Sequence, residues 1–107
     1  MFRNWRDATP VQAIPGITRR TLATGERGML VEFRALAGAA IPIHHHPAEQ
    51  DGYLVSGAMV IIIDGVEHQV QPGDSYAILA DAPHGARFLA ESVVVEAFSP
   101  PREDYRG

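Results

Sequence analysis

Apolar residues in this chain come in short runs, and glycine or proline interrupts them throughout. Ten glycines and eight prolines are spread along 107 residues. No stretch keeps the 3.6-residue period by which a helix buries one face. Met29, Val31, Phe33 and Ala35 alternate with Glu32 and Arg34, as in a half-buried strand, and residues 38–42 break it. A further strand leads into residues 44–46, and residues 52–55 form another before Ser56-Gly57 turns the chain. Residues 58–63 are strongly apolar, Asp64-Gly65 offers a two-residue type I′ hairpin turn, and residues 66–70 return. Pro72-Gly73-Asp74 marks another turn. Asp81-Ala82-Pro83 marks one more and puts His84 at the head of a strand. Residues 93–98 form the last strand, which Pro100-Pro101 ends because prolines cannot continue a ladder. With residues 19–23 the total is roughly eight or nine strands about 8–12 residues apart, which predicts an all-β sandwich or barrel.

A chain of 107 residues makes one domain, residues 1–107. Residues 1–17 show no clean period and read as an N-terminal arm, with Phe2, Trp5 and Val11 covering an open end of the domain. So small a core gains from a bound metal or a second subunit. There are no cysteines, which excludes disulfides and thiolate ligands, so a metal here would be held by nitrogen and oxygen. The net charge is −4 with no basic stripe, which argues against nucleic acid and membrane surfaces as partners. No apolar run approaches the ~18 residues of a membrane-spanning helix. The expected location is the cytoplasm.

The chemistry concentrates in His44-His45-His46-Pro47-Ala48-Glu49-Gln50. Strand alternation puts His44 and His46 on one face and His45 on the other. Two imidazoles, an amide oxygen four residues on and a distant fourth donor make a metal site, with Glu49 and Asp51 as competing oxygen donors. His45 and His68 are expected not to bind. In the last strand Val94, Glu96 and Phe98 share a face. An acid on the barrel side of an apolar strand needs a task or a charged partner. Arg102, past the two prolines, can return to the barrel mouth.

The spacing Gly38-x5-His44-x-His46-x3-Gln50-x6-Gly57 resembles the first cupin motif, with Gln50 where glutamate is usual. Gly73-x10-His84, just behind Pro83, resembles the second, with Leu79 and Asp81 in place of its usual proline and glycine, and Phe88 where asparagine is common. The resemblance covers residues 28–99. It implies a single cupin domain, a jelly-roll barrel of two antiparallel sheets. Inside it a divalent first-row transition metal (Ni, Zn, Fe or Mn) would be held by His44, His46, Gln50 and His84. Three neutral imidazoles and an amide leave such an ion its full +2 charge, which favours an anionic ligand. Small cupins commonly form homodimers, and pairing is expected here too.

The ending Phe98-Ser99-Pro100-Pro101-Arg102-Glu103-Asp104-Tyr105 is similar to that of cupins that linearise unsaturated uronates in pectin and alginate breakdown. That resemblance implies a small anionic substrate, a proton-transferring role for Glu96, carboxylate binding by Arg102 and a pocket-lining role for Phe98. The family acid is usually aspartate, so Glu96 is one methylene longer. Two other functions remain open on the same barrel: a different metal-dependent enzyme, such as a dioxygenase or lyase, and a non-catalytic module for a small ligand.

Overall fold

The computed structural model describes residues 1–106. Ten strands run in order: β1 (Val11–Ile14), β2 (Ile17–Thr24), β3 (Met29–Ala35), β4 (Ala40–His44), β5 (Glu49–Ser56), β6 (Met59–Ile63), β7 (Val66–Val70), β8 (Ser75–Ile78), β9 (His84–Phe88) and β10 (Ser92–Ser99). They form a six-stranded sheet, β1-β2-β3-β10-β5-β8, and a four-stranded sheet, β4-β9-β6-β7. Every described pairing is antiparallel. The only helical elements among the described residues are the 3-10 turns Trp5–Asp7 and Glu103–Tyr105. None is long and apolar enough to cross a membrane. This is the jelly-roll barrel expected from the sequence.

Period-two alternation builds the core. Along β3, Met29, Val31, Phe33 and Ala35 point inward. Along β10, Ser92, Val94, Glu96 and Phe98 do so. They meet Leu54, Met59, Ile61, Ile78 and Phe88 from the facing strands. The turns form where their residues allow. Asp64 and Gly65 both have positive φ, 50° and 79°, the type I′ geometry that suits the twist of β6 and β7. Asp81 also has positive φ, 61°, just before His84 opens β9.

Three expectations need correction. Residues 1–17 are not simply an arm, because β1 pairs with β2 across a Pro15-Gly16 turn. Phe2 is 86% exposed and covers nothing. Trp5 lies against the outer side of the six-stranded sheet: its indole N–H donates to Glu32, and the Arg20 guanidinium stacks 3.8 Å from its ring. Pro42 is not a break but sits within β4, where pairing with β9 shifts register between Ile41 and His44. A residue without an amide hydrogen is tolerated at such an irregularity.

Core and surface leucines should differ sharply. Leu54 is fully buried and Leu89 is 57% exposed. Leu54→Ala should cost about 2–5 kcal/mol in denaturant unfolding and Leu89→Ala no more than about 0.5 kcal/mol.

Candidate metal centre

Both sheets and one loop contribute to the site. His44 ends β4 and His84 opens β9, and the two are cross-strand partners in the four-stranded sheet. Gln50 on β5 is paired with Phe98 on β10 in the other sheet. His46 reaches the same place from the loop after β4, so its inward direction comes from that loop rather than from strand alternation. The rings of His44 and His84 have centroids 4.3 Å apart, and those of His46 and His84 4.8 Å. One nitrogen from each of the three histidines lies within 4.8 Å of those of the other two.

Backbone carbonyls orient all three rings. The Nδ1–H of His44 donates to Pro42 O at 2.9 Å, that of His46 to Ala48 O at 2.8 Å, and that of His84 to Ala82 O at 2.8 Å. A carbonyl only accepts, so each Nδ1 carries the proton and each Nε2 keeps its lone pair. Burial lowers the pKa of His46 and His84, and the nearby Arg102 charge lowers both further. Neutral imidazoles with free Nε2 atoms are what a metal requires. Among the described residues His84 Nε2 is buried without a hydrogen-bond partner, a costly state that an ion would relieve. His46 Nε2 lies 3.0 Å from Gln50 Oε1, and both atoms present lone pairs, so a shared cation fits between them. The residues therefore fit a divalent metal.

Alternation turns Glu49 and Asp51 outward while Gln50 points in, which removes the two acids from the donor set. His45 is exposed and lies 3.7 Å from Asp81, and His68 is exposed on β7; neither joins the cluster. Glu96 is buried, with Gln50 Nε2 donating to Oε2 at 2.6 Å and Tyr76 Oη donating to Oε1 at 3.0 Å. Burial pushes its carboxyl up to about 7, against the pull of those two hydrogen bonds.

A cavity of about 50 Å³ is lined by His44, Gln50 and His84 together with Glu96, Phe98, Arg102 and Tyr105. Glu96, Phe98 and Arg102 thus share one space with His44 and His84. Arg102 is held by Asp104, at 2.8 and 3.3 Å, and donates to Tyr105 Oη at 3.1 Å. Sequence reasoning assigned no role to Tyr76, Asp104 or Tyr105. For Tyr76 the one available signal was a phenol on a strand position facing the core, which needs a polar partner. A larger cavity of about 680 Å³, lined by Gln12, Arg34 and Glu91 among others, lies at the other end of the barrel and contains no histidine.

The fold and the site define a two-sheet β-barrel that gathers, at one end, three histidines able to bind a metal. The family model described as "Cupin domain" matches residues 31–98, and the chain belongs to the cupin family. It is 30% identical over 102 residues to "Pectin degradation protein KdgF" of Dickeya dadantii (strain 3937), covering 92% of this chain and 93% of that one. The solved structure of KdgF from Halomonas sp. superposes with a TM-score of 0.93 at 30% identity, covering 99% of this chain and 98% of that one. An RmlC-like cupin from Shewanella frigidimarina NCIMB 400 gives a TM-score of 0.93 at 28% identity, covering 98% and 95%.

Substitution should separate the clustered histidines from the outlying one. By titration calorimetry with a divalent first-row ion, His84→Ala should weaken binding by at least about a hundredfold, and His45→Ala should change it less than about twofold.

Proposed function

We propose that this cupin opens the ring of a 4,5-unsaturated uronate to its linear keto-aldehyde form, with a divalent ion held by His44, His46, Gln50 and His84. One observation carries the reading. A buried carboxylate and an arginine line the same cavity as His44, Gln50 and His84. The likeness to a protein named for pectin degradation supports the substrate class. The bound ion supplies Lewis-acid polarisation of substrate oxygens.

The chain's own residues do the rest. Arg102 binds the substrate carboxylate, exchanging its contact with Asp104 for an equivalent charge-assisted pair. Phe98, whose ring lies 5.6 Å from the Arg102 guanidinium, presents an apolar wall to the sugar ring. Glu96 accepts the proton of the anomeric hydroxyl as the bond from the anomeric carbon to the ring oxygen breaks. It then returns that proton to ring carbon 4 as the freed enolate becomes a ketone, so the product is an isomer of the substrate. A carboxyl near neutral pKa suits transfer in both directions, and a nearby divalent charge favours the ionised form that starts the cycle. A volume of about 50 Å³ suits an ion with one or two waters. Entry of a sugar ring therefore requires Arg102 and Tyr105 to move outward.

The proposal extends to assembly as a homodimer. Leu30, Tyr53 and Val55 are 38%, 50% and 48% exposed on the outer face of the six-stranded sheet, near enough in character to an interface core to favour pairing. Light scattering at micromolar concentration should give twice the chain mass; a monomer mass contradicts it.

The decisive assay is loss of the substrate's conjugated-double-bond absorbance. The metal-loaded protein should turn it over. Glu96→Gln should lower kcat at least about a hundredfold, while Arg102→Ala should mainly raise KM, by roughly tenfold or more. A metal-loaded wild-type protein without turnover overturns the ring-opening reading.

A further inference from the structure

Tyr76 and Glu96 lie on strands that are not neighbours. β5 runs between β8 and β10, and its register sets Gly52 opposite Tyr76 on one side and opposite Glu96 on the other. Three residues on three adjacent strands therefore make one row across the sheet. Cross-strand partners share a face, and in this row the face is the barrel interior, where Gly52 and Glu96 are buried.

The middle of the row has no side chain. A Cβ on Gly52 would collide with the Tyr76 ring, at Cζ and at the hydroxyl oxygen among others. The ring occupies the place a side chain would take and crosses the intervening strand. Its hydroxyl then donates to Glu96 Oε1 at 3.0 Å. Glu96 Oε2 accepts from Gln50 Nε2 at 2.6 Å, and Gln50 Oε1 faces His46. Each carboxylate oxygen thus holds one donor from a different strand. The terminal torsion of a glutamate is broad and soft, and two such donors confine it. Tyr76 is not among the residues that line the cavity, so any effect it has on a bound sugar acid passes through Glu96.

We propose that Tyr76, seated across Gly52, is a positioning residue that aims the Glu96 carboxylate at the reacting atoms, while Gln50 ties the same carboxylate to the histidine cluster. The proposal rests on Glu96 being the proton carrier in the reading above. Gly52 is part of the device, because any larger residue there expels the ring that reaches Glu96.

Tyr76→Phe keeps the ring and removes only the donor, and Gly52→Ala displaces the ring by an independent route. Each variant is loaded with metal, checked for metal content and thermal unfolding, and assayed on unsaturated uronate; Tyr76→Phe is also crystallised. Misplacing a reacting group by about 1 Å costs on the order of a hundredfold. Tyr76→Phe should therefore lower kcat by roughly 10- to 100-fold, with KM and metal content within about twofold of wild type and the Glu96 carboxylate turned from its original plane. Gly52→Ala should show the same kinetic pattern. An unchanged kcat with the carboxylate in place overturns the proposal, as does a change confined to KM or metal content. If the wild-type protein itself shows no turnover, the ring-opening reading falls. The crystal structure of Tyr76→Phe then decides the positioning role alone: a displaced carboxylate supports it and an unmoved one overturns it.

Discussion

Three hydrogen bonds from imidazole to backbone govern the chemistry of this protein. Each histidine of the cluster gives its Nδ1 proton to a carbonyl two residues away. Those bonds fix the tautomers, and the tautomers turn three lone pairs into one small volume. No hydrogen bond among the described residues satisfies His84 Nε2, and a cation in that volume would. The carbonyls can serve because those of Ala48 and Ala82 lie in loops and that of Pro42 lies at the register shift within β4, away from regular pairing. The site therefore depends on where β4 stops and β9 starts.

The two sheets divide the work. The four-stranded sheet brings His44 and His84 side by side, and the six-stranded sheet brings Gln50, Glu96 and Phe98 into neighbouring rows. β10, paired on both edges, holds Glu96 on a strand that cannot easily shift register, because a one-residue slip would turn Val94, Glu96 and Phe98 out of the core together. A buried acid is tolerated there because both of its oxygens are engaged. The C-terminal segment closes the same end, with Arg102 and Tyr105 joined by a hydrogen bond and stacked at 4.1 Å.

Much of this was legible in the sequence because the signals are local. Asp64-Gly65 specifies its turn through backbone angles that few other pairs accept. The turn at Asp81 delivered His84 to a strand start. The choice among Glu49, Gln50 and Asp51 stayed open in the sequence, because the strand begins at Glu49, ahead of residues 52–55, and only that earlier start sets Gln50 opposite to the two acids. What escaped depends on long-range register. β1 was hidden because Pro10 and Pro15 flank a strand of four residues whose stability comes from pairing with β2. The Tyr76–Glu96 bond was hidden because it crosses a third strand, and only the pairing of Gly52 with both reveals it. His46 was placed correctly in direction, but by a loop and its bond to Ala48 rather than by a strand.

The central claim is that the oriented Nε2 atoms and the Gln50 oxygen form one metal centre. Anomalous diffraction from crystals grown with a divalent first-row ion tests it most directly. The account predicts a single peak about 2.0–2.2 Å from Nε2 of His44, His46 and His84 and from Oε1 of Gln50. A peak bound through any Nδ1, or one seated at His45, His68 or the outward acids Glu49 and Asp51, would contradict it.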